Sequence, residues 1–192
     1  MQRWLHIAHR IDRFSERTGQ VLYWLTLLMI VVGAYNAIVR YAGRFTGVNL
    51  SSNTFIELQW YAFSFVFLLG AAYTLKHNAH VRVDVLYGQL SAKGQAWINV
   101  LGTVLFLFPF CLLMLWLSAR MVTTGAWTFD EMSPDPGGLP RFPVKVAIPI
   151  GFLLLLVQGI ALLIKQVAIL RGVNPAWLHP DGLYPNPSKE GT

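Results

Sequence analysis

Four long stretches of the chain contain no Lys or Arg: Val21 to Val39, Phe55 to Leu75, Ala96 to Ser118 and Val146 to Ile164. Each is predominantly apolar and reaches the ~20 residues that a helix needs to cross the hydrocarbon of a bilayer. Glu57, near the start of the second, is the one acid in any of them. Backbone exposed to lipid must satisfy its own N–H and C=O groups, which leaves helices or closed barrels. Barrel strands would show alternating segments of about ten residues, and the sequence has none. The predicted fold is an all-α integral membrane protein with four transmembrane helices.

Composition narrows the function classes. Hydrophobic residues make up 55% of the chain and charged residues 12%, about half the charged share of an ordinary soluble domain. A disordered chain is excluded and a water-soluble domain is disfavoured. The net charge is +6, but the 15 Lys and Arg sit in short gaps between apolar runs, so no nucleic-acid partner is expected. Cys111 stands alone, which removes disulfide frameworks and cysteine-pair redox chemistry. The first run is too long for a signal peptide and is expected to be retained.

Charge placement sets an expected orientation. Arg3, Arg10, Arg13, Arg17, Lys76, Arg82, Lys93, Lys165, Arg171 and Lys189 fall on one side, and Arg40, Arg44, Arg120, Arg141 and Lys145 on the other. The richer side is cytoplasmic by the positive-inside rule, which puts both termini in the cytoplasm. The domain plan is an interfacial segment over 1–19, a membrane domain over 20–170 and a Pro-rich cytoplasmic tail over 171–192. In the first segment Trp4, Ile7, Ile11 and Phe14 recur at steps of three and four. Such a stripe predicts an N-terminal amphipathic interfacial helix in the headgroup layer. Between spans two and three, Val83, Leu86, Tyr87 and Leu90 predict a short cytoplasmic interfacial helix, with Asp84 as N-cap. The outer loop from Ala119 to Pro143 holds Pro134, Pro136, Gly137, Gly138 and Pro140, so it is expected to be irregular and turn-rich.

The polar residues point away from a transport pathway in this chain. Pumps and carriers mark themselves with ionisable residues at mid-membrane, and the spans have no Asp/Glu/His relay. Thr54 and Glu57 have capping-box spacing, and Glu57 is within reach of Arg40 or Arg44 across the first loop; a cap with an ion pair outweighs a proton or cation site. His77, His80 and Asp84 could be drawn as metal ligands, but Lys76 and Arg82 flank them and favour a basic headgroup-level loop. Every histidine lies outside the spans, which disfavours haem. Asn36 and Gln158 are candidates for interhelical hydrogen bonds of about 0.6 kcal/mol each. Gly33 and Ala37 form a small-residue face. A homo-oligomeric carrier or channel, or a four-span membrane enzyme, remains an alternative; neither finds its polar stripe or its nucleophile.

The run Phe67-Leu68-Leu69-Gly70-Ala71-Ala72-Tyr73, followed by His80-Val81-Arg82-Val83-Asp84-Val85-Leu86, resembles the signature of the small membrane subunit of TRAP (tripartite ATP-independent periplasmic) transporters. Arg40-Tyr41 at the end of span one, Glu57 at the start of span two and Ile148-Pro149-Ile150-Gly151-Phe152 in span four match as well. The resemblance covers roughly residues 20–170. It implies a scaffold for a large elevator-type membrane subunit, which would bind Na⁺ and substrate. It also implies a periplasmic substrate-binding protein that delivers a dicarboxylate, keto acid or sugar acid. No cofactor is expected in this chain, and membrane lipids are expected partners. Arg40, Arg44 and the outer loop are candidate contacts for the docked binding protein. Arg82 and Asp84 are expected to order the cytoplasmic loop against headgroups or the large subunit.

Overall fold

The computed structural model describes residues 2–47, 52–80, 87–123 and 131–173. Four helices account for most of them: α1 (Gln2–Thr46), α2 (Asn53–Lys76), α3 (Ala92–Met121) and α4 (Phe142–Leu170). Each is long and apolar enough to cross a membrane. Among the described residues there is no strand, only an isolated bridge between Met132 and Pro140.

The chain divides into two compact units. One comprises Met1–Glu16, Ala72–Leu113 and Leu154–Thr192; the other comprises Arg17–Ala71 and Met114–Leu153. The core of the first unit is Ala96, Ala168 and Ile169, with Leu5, Ala92 and Leu170 packed around it. Small side chains here let α1, α3 and α4 approach closely, as helices in lipid must when burial of large apolar groups gives no advantage over lipid contact. In the second unit α4 meets the backbone of α2: a Cβ placed on Gly151 would stand 2.8 Å from the carbonyl oxygen of Leu68. Only glycine fits against that backbone.

Helix α1 runs for 45 residues without a break at residues 19 and 20, where the sequence reading places the junction of the interfacial segment with the membrane domain. Trp4, Ile7 and Phe14 are exposed, whereas Ala8, Asp12 and Ser15 are buried. The apolar stripe therefore does not pack on protein in this chain. Side chains that need hydrogen-bond partners turn inward instead, because an unpaired polar group in an apolar environment is costly.

The other helix ends follow local chemistry. α2 ends at Lys76, and Asn78, at φ 53°, turns the chain away; asparagine tolerates this left-handed conformation. Ser91 caps α3, its Oγ accepting the N–H of Gly94 at 3.3 Å. The middle of α3 widens into a π-helical turn over Thr103–Leu107, just before Pro109, which has no N–H to offer the carbonyl of Leu105. The expected short helix between α2 and α3, with Asp84 at its start, falls largely on residues 81–86, outside the described residues. Where the chain resumes, the Gln95 Nε2 donates to the carbonyls of Tyr87 (3.2 Å) and Leu90 (3.1 Å).

Candidate functional site

In the second unit, four side chains from the first three turns of α2 hold the backbone of residues 136–140. The Asn53 Nδ2 donates to the Pro136 carbonyl (3.3 Å), and the Thr54 hydroxyl to that of Gly137 (2.6 Å). The Leu139 N–H donates to the Glu57 carboxylate. The Tyr61 hydroxyl reaches the carbonyls of Leu139 (3.2 Å) and Pro140 (2.9 Å). The held segment is a small hairpin, closed by the Ser133 N–H on the Leu139 carbonyl (3.2 Å) and the Arg141 N–H on the Glu131 carbonyl (3.0 Å). Gly137, at φ +76°, makes its turn, and Lys145 pairs with Glu131 at its base. Within the stretch expected to be irregular and turn-rich, residues 131–141 form a turn-based projection with one isolated bridge, held in place by α2.

Glu57 is where the structure departs most from the sequence reading. The expected capping box places Thr54 at the N-cap, but Ser52 takes that role, its Oγ accepting the Thr54 N–H at 3.2 Å. Thr54 lies inside the helix and turns its hydroxyl to the hairpin. The expected ion pair with Arg40 or Arg44 is absent among the described residues, because Glu57 is buried (1% exposed) and faces the Leu139 N–H. Removing the Tyr61 hydroxyl should loosen this clamp. Tyr61→Phe is expected to lower stability by about 1 kcal/mol, the usual contribution of one hydrogen bond. Its readout is a lower unfolding midpoint together with faster proteolysis within residues 131–141; an unchanged cleavage rate would argue that the hydroxyl contributes nothing.

Arg40 and Arg44 lie at successive i, i+4 positions beyond Asn36 on one face of α1. Together with Ser52, Asn53 and Pro136 they line a cavity of about 630 Å³. Asn36 is buried (7% exposed), and its Oδ1 has no hydrogen-bond partner among the described residues. The interhelical bond expected of Asn36 is therefore not formed at that atom.

Gln158 belongs to a buried network in the first unit. Its Nε2 donates to Asp12 Oδ1 (2.9 Å), and its Oε1 accepts the Ser15 hydroxyl (2.7 Å). The second Asp12 oxygen pairs with Lys165 Nζ at 2.5 Å, with both side chains nearly shielded from solvent. In the same unit Glu16 pairs with Lys76 and with His77 Nε2, the latter at 2.9 Å. The sequence reading missed Asp12, Ser15 and Lys165. A signal was present: Gln158 and Lys165 are seven residues apart, hence on one face of α4, and Asp12 and Ser15 share a face of α1. His80 is exposed at the end of the described α2–α3 connection, while Arg82 and Asp84 lie outside the described residues. Among the described residues no three His, Cys, Asp or Glu side chains gather as metal ligands.

These features define a multi-pass all-α membrane protein whose buried polar groups mostly join its own helices and hairpin. The family described as "Tripartite ATP-independent periplasmic transporters, DctQ component" matches residues 29–168, well over half of the chain. The chain belongs to that family: it is the small component of a TRAP transporter, a transporter part rather than an enzyme. No curated protein and no solved structure matches it.

Proposed function

We propose that this chain is the static frame of a Na⁺-coupled uptake system for organic acids of the dicarboxylate, keto acid or sugar acid class. It sits in the cytoplasmic membrane with both termini inside and pairs with a large elevator-type subunit. That subunit binds Na⁺ and substrate, and this chain holds neither cofactor nor metal. A periplasmic binding protein delivers the substrate and docks against the projection over residues 131–141, whose clamp on α2 gives it a fixed shape. Where Arg82 and Asp84 fall, the connection between α2 and α3 meets headgroups or the large subunit.

The observation that carries the scaffold reading is the placement of charge. The four apolar runs hold a single acid, Glu57, and it accepts a backbone N–H. Among the described residues, the ion pair with both members most buried, Asp12 with Lys165, joins α1 to α4 and offers no path for an ion. A frame of this kind resists being dragged through lipid while the partner moves. The test is uptake into vesicles by the large subunit and binding protein, with and without this chain. Omission should abolish or sharply reduce Na⁺-driven uptake while substrate binding by the isolated binding protein is unchanged. Full uptake without the chain would refute the scaffold role.

A further inference from the structure

We infer that the cavity at Arg40 and Arg44 is a phospholipid site, with the lipid phosphate between the two guanidinium groups and an acyl chain along α1 toward Gly33. Three observations carry this assignment. Arg40 directly follows the apolar run that ends at Val39, which places its charge at headgroup level, and Arg44 lies one turn further out. Neither guanidinium has a carboxylate partner among the described residues, since Glu57 is engaged by Leu139. Finally, the 630 Å³ cavity does not stand alone. A second hollow of about 370 Å³ shares Asn36, Arg40, Arg44 and Ile56 with it and extends to Gly33 and Ala37.

The two hollows together have the shape of an amphiphile. The first has Arg40, Arg44, Asn36 and Asn53 in its wall beside Ile56 and Pro136, and the second runs into the span past Tyr41, Ile56 and Ala37 as far as Gly33, where the Gln59 side chain packs against the helix. A free anion would fill only the first. The buried Asn36 amide lines both, with its oxygen unpartnered. A glycerol or headgroup hydroxyl would supply the missing donor. The sequence reading gives Arg40 and Arg44 to a docked binding protein; their position over an apolar groove gives them to a lipid instead.

The experiment is native mass spectrometry of the full-length chain, purified from membranes with the proteins that accompany it. It is titrated with phosphatidylglycerol in one arm and with inorganic phosphate in the other. The wild type should retain one lipid that Arg40→Gln/Arg44→Gln binds about thirty-fold more weakly, the factor expected for two basic side chains at a lipid surface. Arg10→Gln, an exposed arginine on the N-terminal part of α1, should bind as the wild type does. Ala37→Trp, which fills the groove and leaves both arginines in place, should also lose the lipid, and this variant decides the matter if the arginine variant is recovered poorly. Equal lipid retention in all variants would overturn the assignment. So would displacement of the lipid by inorganic phosphate, which would mark a free-anion site. Unchanged lipid binding combined with loss of uptake in the arginine variant would assign the pair to the binding protein instead.

Discussion

Lys165→Met should destabilise the first unit by about 4 kcal/mol, because it leaves the Asp12 carboxylate buried without its cation. The lysine side chain is 6% exposed and the aspartate 11%, so water cannot take the place of the lost partner. Gln158 would still donate to Asp12, but one neutral hydrogen bond does not offset a desolvated charge. The expected result in mild detergent is a marked fall in the unfolding midpoint and a low yield of monodisperse protein. The double variant Asp12→Asn/Lys165→Met should recover most of the loss, since it removes both charges and keeps an acceptor for Gln158. If the double variant were as unstable as the single one, the damage would come from lost packing of the lysine stem and not from the orphaned carboxylate.

The second large effect is expected at Gly151. Its missing Cβ lets α4 meet the backbone of α2, with Leu68 carbonyl oxygen, carbonyl carbon and Cβ at 2.8, 3.0 and 3.0 Å from where a side chain would begin. Overpacking of this kind costs about 1–3 kcal/mol, and a backbone obstacle, which cannot swing aside, puts Gly151→Ala near the upper end. Gly151→Leu should prevent the second unit from closing at all. Shortening the opposing side chain with Leu68→Ala should give no rescue, since the obstructing atoms remain. Recovery of the Gly151→Ala midpoint in that double variant would show that the leucine side chain, and not the backbone, sets the distance.

The membrane-spanning elements were legible because lipid imposes a rule that a single sequence can display: about 20 residues without a basic side chain. The inward faces of those helices were less legible than the lipid-facing ones, and α1 shows why. In a soluble protein the stripe of Trp4, Ile7 and Phe14 would mark the core. In this chain that stripe is exposed and the inward face is Ala8, Asp12 and Ser15, because apolar side chains gain nothing by leaving lipid. Pairing was hidden for another reason. Asp12 meets a glutamine 146 positions away, and nothing local to either residue names the other. Glu57 misled in the same way: its spacing from Thr54 fits a cap, yet the backbone of Leu139, 82 positions on, has the stronger claim on a buried carboxylate. The prolines and glycines of 134–140 announced a turn but carried no sign of the four α2 side chains that fix it.

The π-helical turn in α3 has a geometric meaning that emerges from the positions of its buried residues. Ala96, Thr103, Cys111 and Ser118 are the small residues that α3 buries, spaced seven, eight and seven apart. Steps of seven keep a residue within about 20° of the same face of an α-helix, whereas a step of eight swings it by about 80°. The long step is the one that crosses Thr103–Leu107, and a π turn accommodates one extra residue without that swing. Helix α3 is therefore two differently phased α-helical segments joined by a spacer, and the spacer keeps Cys111 and Ser118 in line with Ala96.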